Sequence, residues 1–436
     1  MIPRTRILSL AREYFAEQDK REFTPGKTPI PASGKVLDAE DLVNLIDASL
    51  DMHLTSGRFA KDFETALAAK FGVARCSLTV SGSAANLLAF SALTSHKLRQ
   101  RRISPGSEVI TIAAGFPTTI APIIQNGCVP VFVDIEPGTY NADPARLDGA
   151  VGPKTRAIMM AHTMGNPFDL DAVTALAKRH DLFLIEDCCD AFGATYGGKK
   201  VGTFGDLATL SFYPAHHITM GEGGAVLTGR NLFGRLVDSY RDWGRDCWCE
   251  PGKANTCGKR WDWKFGDLPH GYDHKYVYTH IGYNLKVTDM QAAVGCSQLD
   301  KVDGFIQKRR DNFALLDGLL KQAGMEEFFD FPRATDNSNP SWFGYLLTIK
   351  DGAPLRRNDV IRYLEDRQIG TRQLFAGNIL HQPGFRDIEH RVFGDLAVTD
   401  KVMRDCFWIG VWPGLGAAEL NYVAETFRSM GKALAS

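Results

Sequence analysis

"SFYPAHHITMGEGGAV", Ser211 to Val226, joins two apolar runs through a pair of histidines and a Gly-Glu-Gly-Gly turn. The run that enters it, "LATLSFY" (207–213), and the run that leaves it, "GAVLTG" (224–229), are short and β-rich. Upstream the same kind of run recurs as "LFLIED" (182–187), "AIMMAHT" (157–163), "VPVFVDI" (129–135) and "EVITIAA" (108–114). Helix-like segments such as "DLDAVTALAKRHD" (169–181) stand between several of them. Runs that are apolar throughout, rather than alternating, suit strands covered on both faces, and their alternation with helices reads as a series of βα units. The expected fold class is α/β, a mostly parallel sheet with helices on both faces, plus a smaller mixed C-terminal domain.

Downstream the rhythm breaks. Residues 230–280 read as a long polar, aromatic-rich insert, and "RDWGRDCWCEPGKANTCGKRWDWKFGDLPHGYDHKYVY" carries seven Trp or Tyr residues. A stretch this long without periodicity is functional or disordered, and so many aromatics argue against disorder. From 288 "TDMQAAVGCSQLDKVDGFIQKRRDNFALLDGLLKQ" predicts one long amphipathic helix. The expected division is a large α/β domain over 35–300, with the insert at 243–280, and a smaller domain from 1–34 and 301–436.

Composition narrows the function. In 436 residues, 44% are apolar and 23% charged, the balance of an ordinary globular protein. A net charge of -1 implies no field for nucleic acid. No apolar run approaches the ~18–20 residues of a membrane helix, and "MIPRTRILSLAREYFAEQDK" lacks a signal peptide's apolar region. A cytoplasmic enzyme is expected. Nine cysteines are too few for a dense disulfide framework. Cys76, Cys128, Cys296 and Cys406 sit among apolar residues as small hydrophobes, whereas Cys188, Cys189, Cys247, Cys249 and Cys257 group in sequence.

In an open parallel sheet, ligands bind beyond the carboxyl ends of the strands. "VSGSAANLL" (80–88) places Gly82 and Ser83 before a helix opening at Ala84, whose free N–H groups and dipole suit a phosphate, although a serine there also reads as a plain N-cap. "LFLIEDCCDAFG" ends a buried strand in Glu186 and Asp187. Such an acid can pair with a protonated ring nitrogen, cap a helix or bind metal. Cys247, Cys249 and Cys257 form C-x-C-x7-C, and with Cys189 they make four thiols, enough for a [2Fe–2S] cluster or for zinc; the spacing itself leaves cluster, zinc and no metal open.

The order of phosphate seat, strand-end acid and "SFYPAHHITMGEGG" resembles fold-type I pyridoxal-phosphate enzymes of the aspartate-aminotransferase type. Nearly the whole chain resembles their sugar-aminotransferase branch, whose third motif reads Ser-Phe-x-x-x-Lys before Gly-Glu-Gly-Gly. Here His216 stands at the lysine position, five residues after Ser211. With "AAGFPTT" (113–119), "EDCCDA" and "RDWGRDCWCEPG", the chain is most similar to the CDP-4-keto-6-deoxyglucose 3-dehydrase subgroup of ascarylose and dideoxyhexose biosynthesis.

That resemblance implies a chemistry. Lysine forms an imine with pyridoxal phosphate, and imidazole cannot. The cofactor is then expected to sit non-covalently as pyridoxamine 5′-phosphate (PMP) and to join the sugar's ketone as a ketimine, with His216 as the base at C4′. Loss of that proton expels the C3 hydroxyl. The resemblance further implies Asp187 at the ring nitrogen, Phe116 on the ring, Gly82, Ser83, Ala84 and Ser211 at the phosphate, and Asn284 reaching the phosphate of a second subunit, hence a homodimer with shared sites. It implies a [2Fe–2S] cluster on Cys189, Cys247, Cys249 and Cys257, with Cys188 as rival fourth ligand, fed by an NAD(P)H-dependent flavin or iron–sulfur reductase. Arg372 is a candidate for the nucleotide's pyrophosphate, with a surface arginine as the plain alternative. His217 and His162 receive no catalytic task, and Asp190 stands where aminotransferases usually carry glutamine. Two other readings remain, a cluster-free 3-dehydratase using an amino donor and a non-catalytic iron–sulfur scaffold. A plain aminotransferase requires another lysine, and Lys199 and Lys200 are the nearest in sequence.

Overall fold

The computed structural model describes residues 2–18, 22–249 and 253–435, the side chains of 432–435 excepted. The apolar runs become β1 (Arg75–Thr79), β2 (Glu108–Ile112), β3 (Val129–Val133), β4 (Thr155–Ala161), β5 (Phe183–Asp187), β6 (Leu207–Ser211) and β7 (Gly224–Thr228). Later in the chain come β8 (Phe329–Asp330), β9 (Gly344–Ile349), β10 (Arg391–Val392) and β11 (Cys406–Gly410). The large sheet is ordered β1-β7-β6-β5-β4-β2-β3-β10, and every strand runs the same way except β7, which opposes both neighbours. This is the α/β sheet expected from the sequence. β5, β6 and β7 are buried along their whole length because helices cover both faces.

The helix Gly82–Leu93 is itself buried on nearly every side, which accounts for its uniformly small and apolar sequence. Its first turn opens against the carboxyl ends of β1 and β6. Leu170–Arg179, capped by Asp169 onto the Ala172 N–H, is the helix foreseen between β4 and β5. Asp289–Gln322 also forms as expected, a single helix started by a Thr288/Gln291 capping box, and at 1.5 Å per residue it is about 50 Å long. One expectation is corrected. Residues 231–241, taken as part of the irregular insert, form a helix, Asn231–Arg241. Phe233, Leu236, Val237 and Tyr240 follow its helical spacing and bury one face, and Arg75 of β1 pairs with Asp238. The insert proper is irregular, with a single short 3-10 turn at His274–Tyr276 among its described residues.

A second hydrophobic core lies beside the first. It gathers Leu316 and Leu320 of the long helix with the antiparallel sheet β8-β9-β11 and the helix Ala417–Ala435. Residues 341–343 thread between the two cores, since Trp342 packs into the second and Phe343 into the first. The helix Arg4–Ala16 lies against Ala39–Leu50 through Arg4 on Asp47 and Asp51 and Arg12 on Glu40. No helix among the described residues is long and apolar enough to cross a membrane.

Candidate active site

Alternation along β5 sends its two terminal carboxylates to opposite faces of the sheet. Glu186 turns into the interior, where it accepts from the backbone N–H of Gly202 (2.7 Å), Phe204 (2.8 Å) and Gly205 (2.7 Å) and faces His162 Nε2 at 3.2 Å. His162 is wholly buried, stacks on Phe168 and accepts the Phe168 N–H at Nδ1, so its Nε2 is the protonated nitrogen. With Cys188 these two place three potential metal ligands within 4.8 Å, but the ligand atoms of His162 and Glu186 are already engaged in structural bonds.

Asp187 turns toward the opening of the helix Gly82–Leu93. Its Oδ2 accepts from Asn86 Nδ2 (2.8 Å) and Thr119 Oγ1 (2.7 Å), its Oδ1 accepts from the Cys189 N–H (3.1 Å), and Asn86 is held in turn by Thr209 (2.6 Å). A carboxylate fixed by this many donors is an acceptor of set direction. Gly82 stands opposite. A Cβ there would lie 2.5 Å from Ser211 Cβ, 2.9 Å from Ser211 Oγ and 3.0 Å from Cys189 Sγ, so glycine is required by close approach. Ser81 caps the helix onto the Ala84 N–H, and Ser83 reaches Thr118 at 3.0 Å. Gly82, Ser83, Ala84, Asp187, Cys189 and Ser211 thus meet in one hollow. Phe116 enters the helix Pro117–Gln125 with its ring 49% exposed and edge-on to Phe375. A phosphate at the helix opening and a protonated ring nitrogen at Asp187 fit these residues.

Beyond β6 the chain turns at 213–216 and brings His216 back over this hollow, with Nδ1 3.5 Å from Asp190 Oδ1. Burial, aided by the cationic Arg309, pulls the imidazole down to about 4. Burial and the nearby Asp187 push Asp190 up to about 8. His216 is therefore a neutral ring at physiological pH. His217 points away and is tied to the Ser341 carbonyl at 2.9 Å. Among the described residues no lysine joins the group: Lys199 and Lys200 lie on an exposed hairpin, where Lys200 Nζ donates to the Lys70 carbonyl.

Arg309 is the participant the sequence did not disclose. Wholly buried in the long helix, it donates to the carbonyls of Ala215 (3.3 Å), His216 (3.2 Å), Trp342 (3.4 Å) and Phe343 (3.1 Å). Burial lowers its guanidinium to about 10. In "QKRRDN" it looks like one more cation on a solvated face. Asn86 and Thr119 were likewise unassigned, although a lone asparagine in the apolar run "GSAANLL" was a usable signal.

The insert holds the remaining cysteines. The Cys249 N–H donates to Cys247 Sγ (3.5 Å), Thr256 Oγ1 to Cys249 Sγ (3.1 Å) and the Lys259 N–H to Cys257 Sγ (3.5 Å). Burial raises Cys247. At Cys249 burial also opposes ionisation, but the Thr256 hydroxyl and neighbouring N–H groups outweigh it and bring the thiol below its ordinary value. Donors aimed at sulfur are what thiolate ligands of a metal centre need. Trp263 and Phe265 stack on His274 beside this stretch, whereas Trp261, Tyr272 and Tyr276 stay exposed. Cys189 is the fourth cysteine of the set. Its sulfur stands in the hollow against Gly82 and Ser211, raised by burial and Asp187, and none of these four cysteines belongs to a described group of three ligand atoms within 4.8 Å. Cys188 faces the interior beside Gly202 and is further from that role.

Two other residues make their hydrogen bonds outside this group. Arg372 is exposed, donates to the Thr371 carbonyl and pairs its backbone with Trp408 of β11. Asn284 is exposed at the rim, where it accepts from Lys286 at 2.6 Å, while its neighbour Leu285 is tied to Thr79 at the end of β1. Ile281, in the same stretch, is 96% exposed.

Comparison with known proteins places this geometry. Residues 36–428 match the family described as the DegT/DnrJ/EryC1/StrS aminotransferase family. The chain is 52% identical to the dTDP-4-dehydro-2,6-dideoxy-D-glucose 3-dehydratase of Saccharopolyspora spinosa, over 98% of this chain and 92% of the relative. It is 51% identical to the lipopolysaccharide biosynthesis protein RfbH of Salmonella typhimurium, over 97% of each chain. Among solved structures, E. coli GDP-4-keto-6-deoxy-D-mannose-3-dehydratase with bound hydrated PLP superposes with a TM-score of 0.81 at 26% identity, covering 91% of this chain and 98% of that one.

Proposed function

The chain belongs to the DegT/DnrJ/EryC1/StrS aminotransferase family, and from that we propose that it is a nucleotide-sugar 3-dehydrase, removing the C3 hydroxyl of a 4-keto-6-deoxyhexose with pyridoxamine phosphate as cofactor. The observation that carries this reading is His216: a neutral imidazole hangs over the Asp187 hollow where a family aminotransferase has its lysine, and no lysine is among its neighbours in the described residues. The two relatives named as 3-dehydratases support it.

When bound, the cofactor supplies an amine for the sugar ketone and a ring that accepts the electron pair left at C4′. The residues do the rest. Asp187, fixed by Asn86 and Thr119, holds the ring nitrogen protonated. Ser83, Ser211 and the helix opening at Gly82 hold the phosphate, with Phe116 against the ring. His216 takes the C4′ proton and delivers it to the departing C3 hydroxyl, so that water is the sum of what leaves.

The further reading concerns electrons. We propose that Cys247, Cys249 and Cys257 hold a [2Fe–2S] centre with Cys189 as the fourth ligand, that an NAD(P)H-dependent reductase supplies it, and that the enzyme is a homodimer in which Asn284 reaches a second copy's site. The N–H and O–H donors aimed at the insert sulfurs support the centre. The position of Cys189 in the hollow favours the second reading, a 3-dehydratase drawing on an amino donor. Iron and acid-labile sulfide analysis, with EPR of anaerobically purified and dithionite-reduced protein, decides between them. Two irons and two sulfides per chain are expected, and iron-free active protein that consumes glutamate would establish the second reading. The sugar is expected to be CDP-linked; parallel assays with CDP- and dTDP-linked 4-keto-6-deoxyhexoses test that choice.

A further inference from the structure

His216 Nδ1 is sealed from solvent and has no hydrogen-bond partner, yet solvent reaches 15% of the side chain. The open edge of the ring is thus the side away from Nδ1. Asp190 Oδ1 stands 3.5 Å from Nδ1, and the Cys189 carbonyl faces the ring. An ionised Asp190 can only accept, and a protonated one still accepts through the oxygen that carries no hydrogen; with Oδ1 as that oxygen the ring proton lies on Nδ1. Catalytic hydrogen bonds of this kind are commonly long before substrate arrives and tighten afterwards.

Asp190 is itself held. The Met164 N–H faces its carboxyl, and Met164 takes a left-handed φ of 53°, unusual for a methionine, in the tight turn between His162 and Gly165. The next residue, Gly165 (φ 86°), has no room for a side chain, because a Cβ there would fall 2.0 Å from the Ser341 carbonyl oxygen. Arg309 grips the His216 carbonyl from the other side. The backbones that carry ring and carboxyl are therefore each held, and the 3.5 Å between the two side chains can close when substrate arrives.

On the reading of His216 as the proton carrier, we propose that Asp190 is its positioning residue: it keeps the proton on Nδ1, so that Nε2 is the bare nitrogen presented to the hollow. A glutamine at this place, as aminotransferases usually have, can turn an N–H toward Nδ1 and would select the other tautomer.

The isosteric variant Asp190→Asn tests this without opening a cavity. The Met164 N–H claims the amide oxygen, so the amide NH2 faces Nδ1 and moves the imidazole proton to Nε2. In 15N spectra of histidine-labelled, cofactor-free protein, with His216 assigned by its loss in His216→Asn, the parent should show a protonated Nδ1 and Asp190→Asn a protonated Nε2. With PMP added, exchange of the C4′ hydrogen should slow on the order of 100-fold in Asp190→Asn, while the PMP dissociation constant stays within about twofold. An unchanged tautomer together with parent-rate exchange overturns the proposal. If His216→Asn also exchanges at the parent rate, the underlying reading of His216 fails instead. Exchange lost in His216→Asn but intact in Asp190→Asn removes Asp190 alone.

Discussion

The hollow at the ends of β5 and β6 and the insert at 243–280 both carry reactive groups, and they are built in opposite ways. Around the hollow, polar atoms are pinned by sheet and helix: Asp187 by Asn86, Thr119 and a backbone N–H, and Glu186, on the opposite face of the same strand, by three amides and His162. In the insert, three thiols hang on a loop with few regular hydrogen bonds, steadied by stacked rings and an Asp246–His274 pair at 3.0 Å. The first region is organised by the fold before any ligand binds. The second has its donors in place and leaves the gathering of its sulfurs to whatever binds them.

Substitutions should separate the two by stability. The largest effect is expected for Glu186→Ala, which strips partners from three backbone amides and from the buried His162; a loss of about 3–5 kcal/mol in urea unfolding is expected, and a loss under 1 kcal/mol would show that this frame is softer than its bonds suggest. Asp187→Asn comes next. The amide offers one oxygen where two accept, so about 1–3 kcal/mol should go, with PMP affinity falling at least about tenfold in a fluorescence titration as the charge facing the ring nitrogen disappears. Gly82→Ala pushes a methyl onto Ser211 and should cost about 1–2 kcal/mol, together with weaker PMP binding but unchanged iron content. Smallest on this scale is Cys249→Ser, within about 0.5 kcal/mol of the parent as for other surface changes, although it should abolish iron binding. A large loss of stability from Cys249→Ser in iron-free protein would erase the distinction between the regions.

The same contrast explains what could be read from the chain. β2 to β7 were legible because burial on both faces leaves an uninterrupted apolar run, and the long helix because its capping box and spacing persist over 34 residues. The helix Asn231–Arg241 was passed over although Phe233, Leu236, Val237 and Tyr240 mark it, since the polar stretch that follows masked its period. β10, two residues long, has too little sequence to give a signal. Within the site, Gly82, Asp187, Ser211 and His216 could be placed from motif order, and they do converge. For Cys189, strand alternation and a turn, rather than distance along the chain, decide that its sulfur stands against Gly82 and Ser211. Arg309 was hidden for a different reason: nothing in a run of basic residues tells which one the helix turns inward.

Arg309 also ties the mechanics of the molecule together. It grips carbonyls on the His216 loop and on residues 342–343, and His217 fastens the same two strips through Ser341. Trp342 and Phe343 are anchored in different cores. The guanidinium thus works as a rivet through two plates: a rotation of the smaller core about the long helix cannot leave the imidazole where it was. A sugar nucleotide that pulls the two cores together would then adjust the aim of His216 from a distance, and the histidine's alignment becomes a gauge of whether the cleft around the substrate has shut.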